Sequence, residues 1–427
     1  MTLRTRIDDF IWTARSLAQV AVERIETGVV FNPLAKGFRE DPYPFYRRLR
    51  ETDPFHKSRP ADGYVLSRYD DVIAVLRDSS FSSDERNLNL YSRMVRRMAR
   101  HGLPDPYQGD NMSMLRRDPP DHTRLRGLVA KAFTPRAVER MRPRVEQILK
   151  ELVEARPAHG AMELVREFAA PLPVRVIAEM LGVPPEDHLR FRDWSNQIVR
   201  SLGEGDFEDQ RAALRATAEL RSYFEAIVDA RRAAPRDDLI SALVAAEEDG
   251  DRLRLSEMFA TLVLLLVAGN ETTTNLISNA MLALLRNPEQ LALLRAEPER
   301  VPAALEEVLR YDSPVQMTSR IVKQDCTLSG HRLRRGQQLV LLLGAANRDP
   351  AANASPERLD ITRGDLRHLS FSHGIHFCLG AQLARLEGSL ALEALVTRYP
   401  NVRLPEQTIV WRNNTILRGP KELWLEL

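Results

Sequence analysis

One stretch constrains the fold more than any other. Residues 259–269 read FATLVLLLVAG and then meet Asn270 and Glu271. A bilayer span needs about 20 apolar residues, so this short run predicts a buried helix and no transmembrane segment. The surrounding pattern agrees. From Pro135 to about Ala296 the sequence is nearly all helical in period, punctuated by Pro157, Pro171, Pro184, Pro185 and Pro235. Pro302 stands where a first-turn proline belongs and opens AALEEVLRY.

Strands are few and short. Tyr64–Ser67 alternates like a strand, and Asp70 or Asp71 then caps a helix over DDVIAVLRD. Strand-like runs return at 338–343 (QLVLLL) and 408–416 (TIVWRNNTI), and the last long helix begins just after Cys378. The expected fold class is mainly α with minor β. A length of 427 residues suggests two or three domains, but no repeat or low-complexity linker divides the chain. The organisation expected is an N-terminal helical extension over 1–30 and a single domain over 31–427. In the extension, Phe10, Ile11, Leu17, Val20, Ala21 and Ile25 recur at roughly helical spacing. Asp8, Asp9, Arg15 and Glu23 interrupt it, so it does not read as a signal peptide. A helix packed on its own domain is favoured over a membrane-surface anchor.

Lys and Arg total 61 against 59 Asp and Glu, a net charge of +2. No bulk field favours nucleic acid or a membrane. Two cysteines, Cys326 and Cys378, cannot build a disulfide framework, which fits a reducing compartment and a cytoplasmic location. Segment 79–118 has few clear elements and holds Met94, Met98, Met112 and Met114. It reads either as an adaptable lid over a pocket or, for Met94 and Met98, as the packing stripe of a helix.

Residues 371–380, FSHGIHFCLG, carry the densest chemistry. Gly374 and Gly380 lack a Cβ and let backbone approach something flat or large. Cys378 sits just before the helical pattern LGAQLARLEG, and a helix N-terminus favours a thiolate. Such a thiolate can ligate a soft metal or haem iron. Spacing alone leaves other readings open. It favours Cys378 as a small buried apolar residue, the usual fate of a free cysteine. His373, His376 and Cys378 lack a nearby fourth ligand for zinc, and a cysteine–histidine nucleophile pair at this spacing matches no hydrolase elbow.

The pattern Phe371-x-x-Gly374-x-His376-x-Cys378-x-Gly380 resembles the haem-binding signature of the cytochrome P450 family, the haem-thiolate monooxygenases of soluble bacterial type. The resemblance runs in order from about Asp41-Pro42-Tyr43 to the C-terminus. It implies a triangular, mainly helical single domain with small sheets, in which haem b lies between the cysteine loop and a long central helix. It makes Cys378 the proximal iron ligand, with Phe371 and Gly380 part of the cofactor loop.

The central helix adds a second signal. Residues 268–275, AGNETTTN, place six polar residues in an apolar helix. Burying them needs a cause; the alternative is a helix that turns polar where it meets water. Gly269 and threonine hydroxyls bonding back to the fourth carbonyl would open a local groove. The block resembles the family's acid–alcohol motif, with Glu in the acidic position. By that resemblance Glu271 relays protons from solvent and Thr272 helps deliver them to bound dioxygen.

Glu307-x-x-Arg310 is by itself an ordinary i,i+3 ion pair, and the same spacing recurs at Glu139–Arg142, Glu163–Arg166, Glu208–Arg211 and Glu297–Arg300. Its place between the oxygen motif and the cysteine loop resembles the family's structural pair. In DPPDHTRLR, His122 and Arg126 share one helix face. With Arg320 and His376 they match the family's contacts to the two haem propionates, which need cationic partners.

The activity implied is insertion of one oxygen atom from O2 into a C–H or C=C bond of a lipophilic small molecule. The runners-up are a peroxide-driven haem-thiolate enzyme and a non-enzymatic haem sensor or carrier. No GxGxxG fingerprint follows a strand, and fewer than 50 residues follow Cys378. A separate donor is therefore expected, by resemblance a ferredoxin with its reductase. Arg116, Arg117, Arg124, Arg367 and His373 are candidates for its docking patch, and the chain is expected to be a monomer. By resemblance the substrate pocket is walled by Leu264, Val267, Ala268, Gln316, Met317, Thr318, Ile416 and Leu417, a mostly apolar lining.

Overall fold

A computed structural model describes residues 18–108, 112–156, 159–201, 206–245, 247–248 and 251–427. The apolar run becomes the middle of one helix, Leu255–Arg286, 32 residues long and so about 48 Å from end to end. Glu257 caps its start, its carboxylate accepting from the Arg254 backbone N–H at 3.0 Å. Pro288 opens the next helix after Asn287. Around this axis pack the helices Pro171–Met180, His188–Arg200, Val301–Tyr311 and Ala381–Arg398.

The axis serves two separate apolar cores. Its N-terminal half contributes Phe259, Leu262 and Leu266 to a cluster with Leu125, Phe191 and Phe224. Its C-terminal half contributes Leu276, Ile277 and Ala280 to a cluster with Ile148, Leu305 and Leu392. The polar block lies between the two. An apolar core that stops and restarts along one helix marks a place where the helix faces something other than packed side chains.

Five strands make the main sheet: β1 (Phe55–Ser58), β2 (Gly63–Leu66), β3 (Phe81–Ser82), β4 (Thr318–Val322) and β5 (Gln338–Leu341), in the order β1-β2-β5-β4-β3. Only β5 and β2 run parallel, with Gln338 opposite Gly63. A Cβ at Gly63 would lie 1.8 Å from the Gln338 carbonyl oxygen, so this register requires glycine. The fold is mainly α with minor β, as the sequence predicts.

Two strand expectations shorten. The run 338–343 pairs only as β5 before the short helix Leu343–Asn347 begins. The run 408–416 pairs only at Val410–Trp411, against Pro420–Glu422. Beyond Trp411 the Asn414 carboxamide oxygen accepts from the backbone N–H of Ile416 and Leu417, each at 2.9 Å. A side chain that takes those donors ends the ladder.

In segment 79–118, Tyr91–Arg100 forms a helix bearing Met94 and Met98, both half-buried. Met112 and Met114 are buried. At the N-terminal end, 18–27 is helical; Phe10, Ile11 and Leu17 fall outside the described residues. Ile25, expected in an apolar stripe, is 84% exposed. Buried polar bonds tie this helix down instead. The Glu23 carboxylate bonds His56 Nε2 at 2.9 Å and accepts from the Arg59 N–H at 2.8 Å, while Asp53 holds His56 Nδ1 at 2.8 Å.

Candidate functional site

The cysteine loop is a tight frame. Cys378 N–H donates to the Phe371 carbonyl at 2.9 Å, Phe377 N–H to Gly374 at 3.0 Å and Ser372 N–H to Leu369 at 2.8 Å. Gly374 adopts φ +67°, and a Cβ there would meet the Leu76 carbonyl oxygen at 2.3 Å. That backbone conformation excludes ordinary L side chains. His373 Nδ1 accepts from the Gly374 N–H at 2.7 Å, so its ring serves the turn. Phe371 lies against the core, with the Arg385 guanidinium 4.6 Å over its ring. Burial pushes the Cys378 thiol up, opposed by the Gly380 N–H, Arg126 and Arg385. Among the described residues no three His, Cys, Asp or Glu side chains converge as a metal cage. The zinc reading therefore finds no geometry here.

Beside this loop four basic side chains gather from three distant stretches. His122 and His376 have ring centroids 4.3 Å apart. His122 is 2% exposed, and neither of its ring nitrogens has a partner. Burial, with Arg126 nearby, pushes His122 down to about 4. Burial, with Arg320, His122 and Arg126, pushes His376 down to about 3. Burial lowers the Arg320 guanidinium to about 10, and Arg320 donates to the Ser319 carbonyl at 2.8 Å. Arg126 donates to the Phe377 carbonyl at 2.7 Å. An orphaned buried imidazole, beside a second imidazole and crowded guanidinium groups, forms a receptor for anionic oxygens. A thiol next to such a receptor suits an iron macrocycle carrying two carboxylates. A cradle fits it too: a Cβ added at Gly269 or at Gly380 would meet nothing within 4 Å.

The central helix faces the same region. Ala268 is exposed, and Leu264, Val267 and Thr272 are partly so, in a helix most of whose residues are buried. Leu264, Ala268 and Thr272 fall at i, i+4 and i+8, one face. The Thr272 hydroxyl donates to the Ala268 carbonyl at 2.7 Å, and the Thr274 hydroxyl to Asn270 at 2.9 Å. Asn270, Glu271, Thr273, Thr274 and Asn275 are all buried. The block is therefore no surface turn. The Asn270 amide serves another helix, donating to Ser195 Oγ at 3.0 Å.

Glu271, 3% exposed, has an oxygen 2.9 Å from Arg412 Nε. Burial pushes its carboxyl up, while Arg412 and the Asn275 amide pull the other way. Sequence reasoning missed Arg412. It stands in a run read only as strand, and no local spacing couples it to Glu271.

Glu307 and Arg310 are both fully buried and bidentate, at 2.7 and 2.8 Å. Arg310 also donates to the carbonyls of Asn347, Pro356 and Arg358, and Glu307 accepts from the Asp360 N–H at 2.9 Å.

Of the pocket residues expected, Thr318 and Ile416 keep accessible surface. Gln316, Met317 and Leu417 do not. The Gln316 amide donates to Ser313 at 2.7 Å and Tyr43 at 3.2 Å, Met317 packs with Phe38 and Tyr46, and Gln316 and Leu417 border a separate small cleft. Of the arginines expected in a docking patch, Arg117 is buried on the Met112 carbonyl, Arg116 bonds Glu85 and Tyr107, and Arg124 pairs with buried Glu257. Intramolecular partners occupy all three.

Known proteins share this construction. The Cytochrome P450 family profile matches residues 207–427. The polyketide biosynthesis cytochrome P450 PksS of Bacillus subtilis is 40% identical over 93% of this chain and 99% of its own length. The vitamin D(3) 25-hydroxylase of Pseudonocardia autotrophica is 41% identical over 92% of this chain and 96% of its own. The crystal structure of P450BioI with an acyl-ligated acyl carrier protein superposes with a TM-score of 0.84 at 36% identity, over 92% of this chain and 100% of that one. The chain therefore belongs to the cytochrome P450 family, and it is a haem-dependent monooxygenase that uses O2.

Proposed function

We propose that Cys378 is the thiolate ligand of haem b and that His122, Arg126, Arg320 and His376 hold its two carboxylates. The observation that carries this reading is the buried cluster in which His122 lacks any partner. Bound haem supplies oxygen activation, and a thiolate ligand favours O–O cleavage. The chain's own residues do the rest. Gly374 sets the loop that presents Cys378, with Phe371 buttressing it and Gly380 leaving room for the ring. Leu264, Val267, Ala268, Thr318 and Ile416 offer an apolar wall to a medium or large lipophilic substrate. Thr272 and Glu271 move protons toward the haem side, Glu271 as the carboxyl that exchanges with solvent. A buried acid and alcohol support the O2 route over a peroxide-driven one, which needs no proton relay.

Electrons come from a separate donor, which we assign to a ferredoxin served by its reductase. We place the enzyme in the cytoplasm, where thiols such as Cys326 and Cys378 stay reduced. The helix over 18–27 acts as an extension seated on the domain through Glu23, and the working unit is a monomer.

The test is spectroscopic. The dithionite-reduced, carbon monoxide-bound protein should show the thiolate-type Soret band, and Cys378→Ala should abolish it while leaving the helical content intact. A histidine-type band in freshly folded wild-type protein sinks the assignment. Fatty acids, terpenes, steroids and macrolide-like compounds, titrated into ferric enzyme, should shift the Soret band. A shift only with small hydrophilic acids overturns the substrate class.

A further inference from the structure

The helix over 18–27 is amphipathic with its faces reversed. Each residue turns a helix by about 100°, so Ala18, Ala21, Val22 and Ile25 share one face. All four are exposed, Val22 at 40% and Ile25 at 84%. Glu23 lies on the far side and is buried, bonded to His56 and to the backbone N–H of Arg59 and Phe31. A surface helix normally seats its apolar stripe on the core and turns its charges to water. Here a carboxylate does the seating and the stripe faces out.

The stripe has company. Among the described residues eleven large hydrophobic side chains are exposed, and Val22, Ile25, Leu34 and Phe45 put four of them within 24 positions. Single exposed apolar residues need no explanation, but a cluster does. The four lie at one end of the molecule. The Phe31 N–H reaches Glu23 at 3.4 Å, and the rings of Phe31, Phe38 and Phe45 follow one another with centroids 6.1 and 5.5 Å apart. Phe38 is rooted in a buried cluster with Leu49 and Met317, so the base is firm. Each apolar side chain has an exposed cation near it in the chain: Arg24 by Ile25, Lys36 by Leu34 and Arg48 by Phe45. Glu26, the exposed acid of the helix, is paired with Arg59. The patch spreads over a helix, a turn and a second helix. That breadth exceeds the narrow seam of a helix–helix contact, and apolar groups interleaved with cations match a bilayer interface, where acyl chains lie beneath phosphates. Residues 1–17 bring the same chemistry in sequence, with Phe10, Ile11 and Trp12 and an excess of arginine, Arg4, Arg6 and Arg15 against Asp8 and Asp9.

We propose that this end of the molecule docks reversibly on an anionic lipid surface. Val22, Ile25, Leu34 and Phe45 enter the interface, and Arg24, Lys36 and Arg48 meet the phosphates. Glu23, held by His56, is the fixture that keeps the apolar face outward.

Co-sedimentation of the full-length, haem-loaded protein with vesicles tests this. Mixed phosphatidylcholine–phosphatidylglycerol vesicles should carry down at least about fivefold more protein than pure phosphatidylcholine, and salt should release it by screening. The double variant Ile25→Asp, Leu34→Asp should lower the bound fraction at least about fivefold. Its Soret spectrum and unfolding midpoint should match wild type, because both side chains are exposed. Lys36→Gln should weaken binding to the anionic vesicles alone. No sedimentation with anionic vesicles overturns the proposal. Binding that survives intact in the double variant overturns it as well, since charge alone then accounts for the attraction. A wild-type dimer in lipid-free solution that the double variant dissociates overturns it in favour of a second copy on this face.

Discussion

Glu307–Arg310 and Glu271–Arg412 each join a buried carboxylate to an arginine, and they are built differently. Glu307 and Arg310 are neighbours on one helix, bidentate, with every remaining donor of interest spent on backbone carbonyls. Glu271 and Arg412 come from the central helix and the C-terminal hairpin, and meet through one contact that is not an aligned hydrogen bond. A saturated buried pair has no cheap alternative, so it ties segments together. The second pair is not saturated, so its members keep bonding capacity that the first pair has spent. The residue types are the same and only the completeness of their bonding differs.

The largest expected effect breaks the first pair. Arg310→Ala removes both aligned bonds to buried Glu307, leaving it the Arg363 guanidinium at 3.2 Å, and orphans the Pro356 carbonyl. It should cost about 3–5 kcal/mol, seen as a large drop in the unfolding midpoint of the haem-loaded protein. If Arg310→Ala costs no more stability than Arg412→Gln, the contrast between the pairs is wrong.

A smaller effect sharpens the second pair. Thr272→Ala removes a hydroxyl one residue from Glu271 but touches no packing core, so the unfolding midpoint should hardly move. Product per electron consumed should fall by roughly 2–10-fold while hydrogen peroxide rises, since a positioned proton donor is lost. Product and peroxide are measured per reduced nicotinamide. Unchanged coupling takes Thr272 out of the proton path.

The smallest effect concerns a third ionic cluster, Glu23–His56–Asp53. Burial pushes the His56 imidazole down, but its bonds to Glu23 and Asp53 outweigh that and leave it raised. A raised histidine contributes its full stability below the ordinary value of about 6.5 and loses it as pH climbs through the folded value. The helix over 18–27 should therefore be cleaved faster by a protease near pH 9 than near about pH 6, after correction for the protease's own pH profile. His56→Gln should flatten that dependence. A wild-type rate that does not change with pH contradicts the clamp.

Much of the site was legible early because it is locally encoded. The cysteine loop needs its glycines, its cysteine and the following helix within a dozen residues. The acid–alcohol block announces itself as polarity inside an apolar helix. His122 and Arg126 share a face by spacing alone. The errors share one cause. Gln316 reads as pocket lining, but Ser313 and Tyr43 take its amide. Arg116 and Arg124 read as docking cations, but Glu85 and Glu257 take them. A polar side chain's partner is often far away in sequence, and one sequence does not say which partner it meets.

By itself, then, the sequence determined the buried central helix, the loop that presents Cys378, and the helical order that surrounds both. These follow from periodicity and from backbone constraints that act over a few residues. The tertiary structure alone decided that His122 and His376 sit ring to ring, that Arg412 stands over Glu271, and that the arginines near the cysteine loop are already engaged. Those outcomes depend on how elements pack, and packing selects among many cations of equal local character by distance, burial and the cost of leaving a charge unpaired.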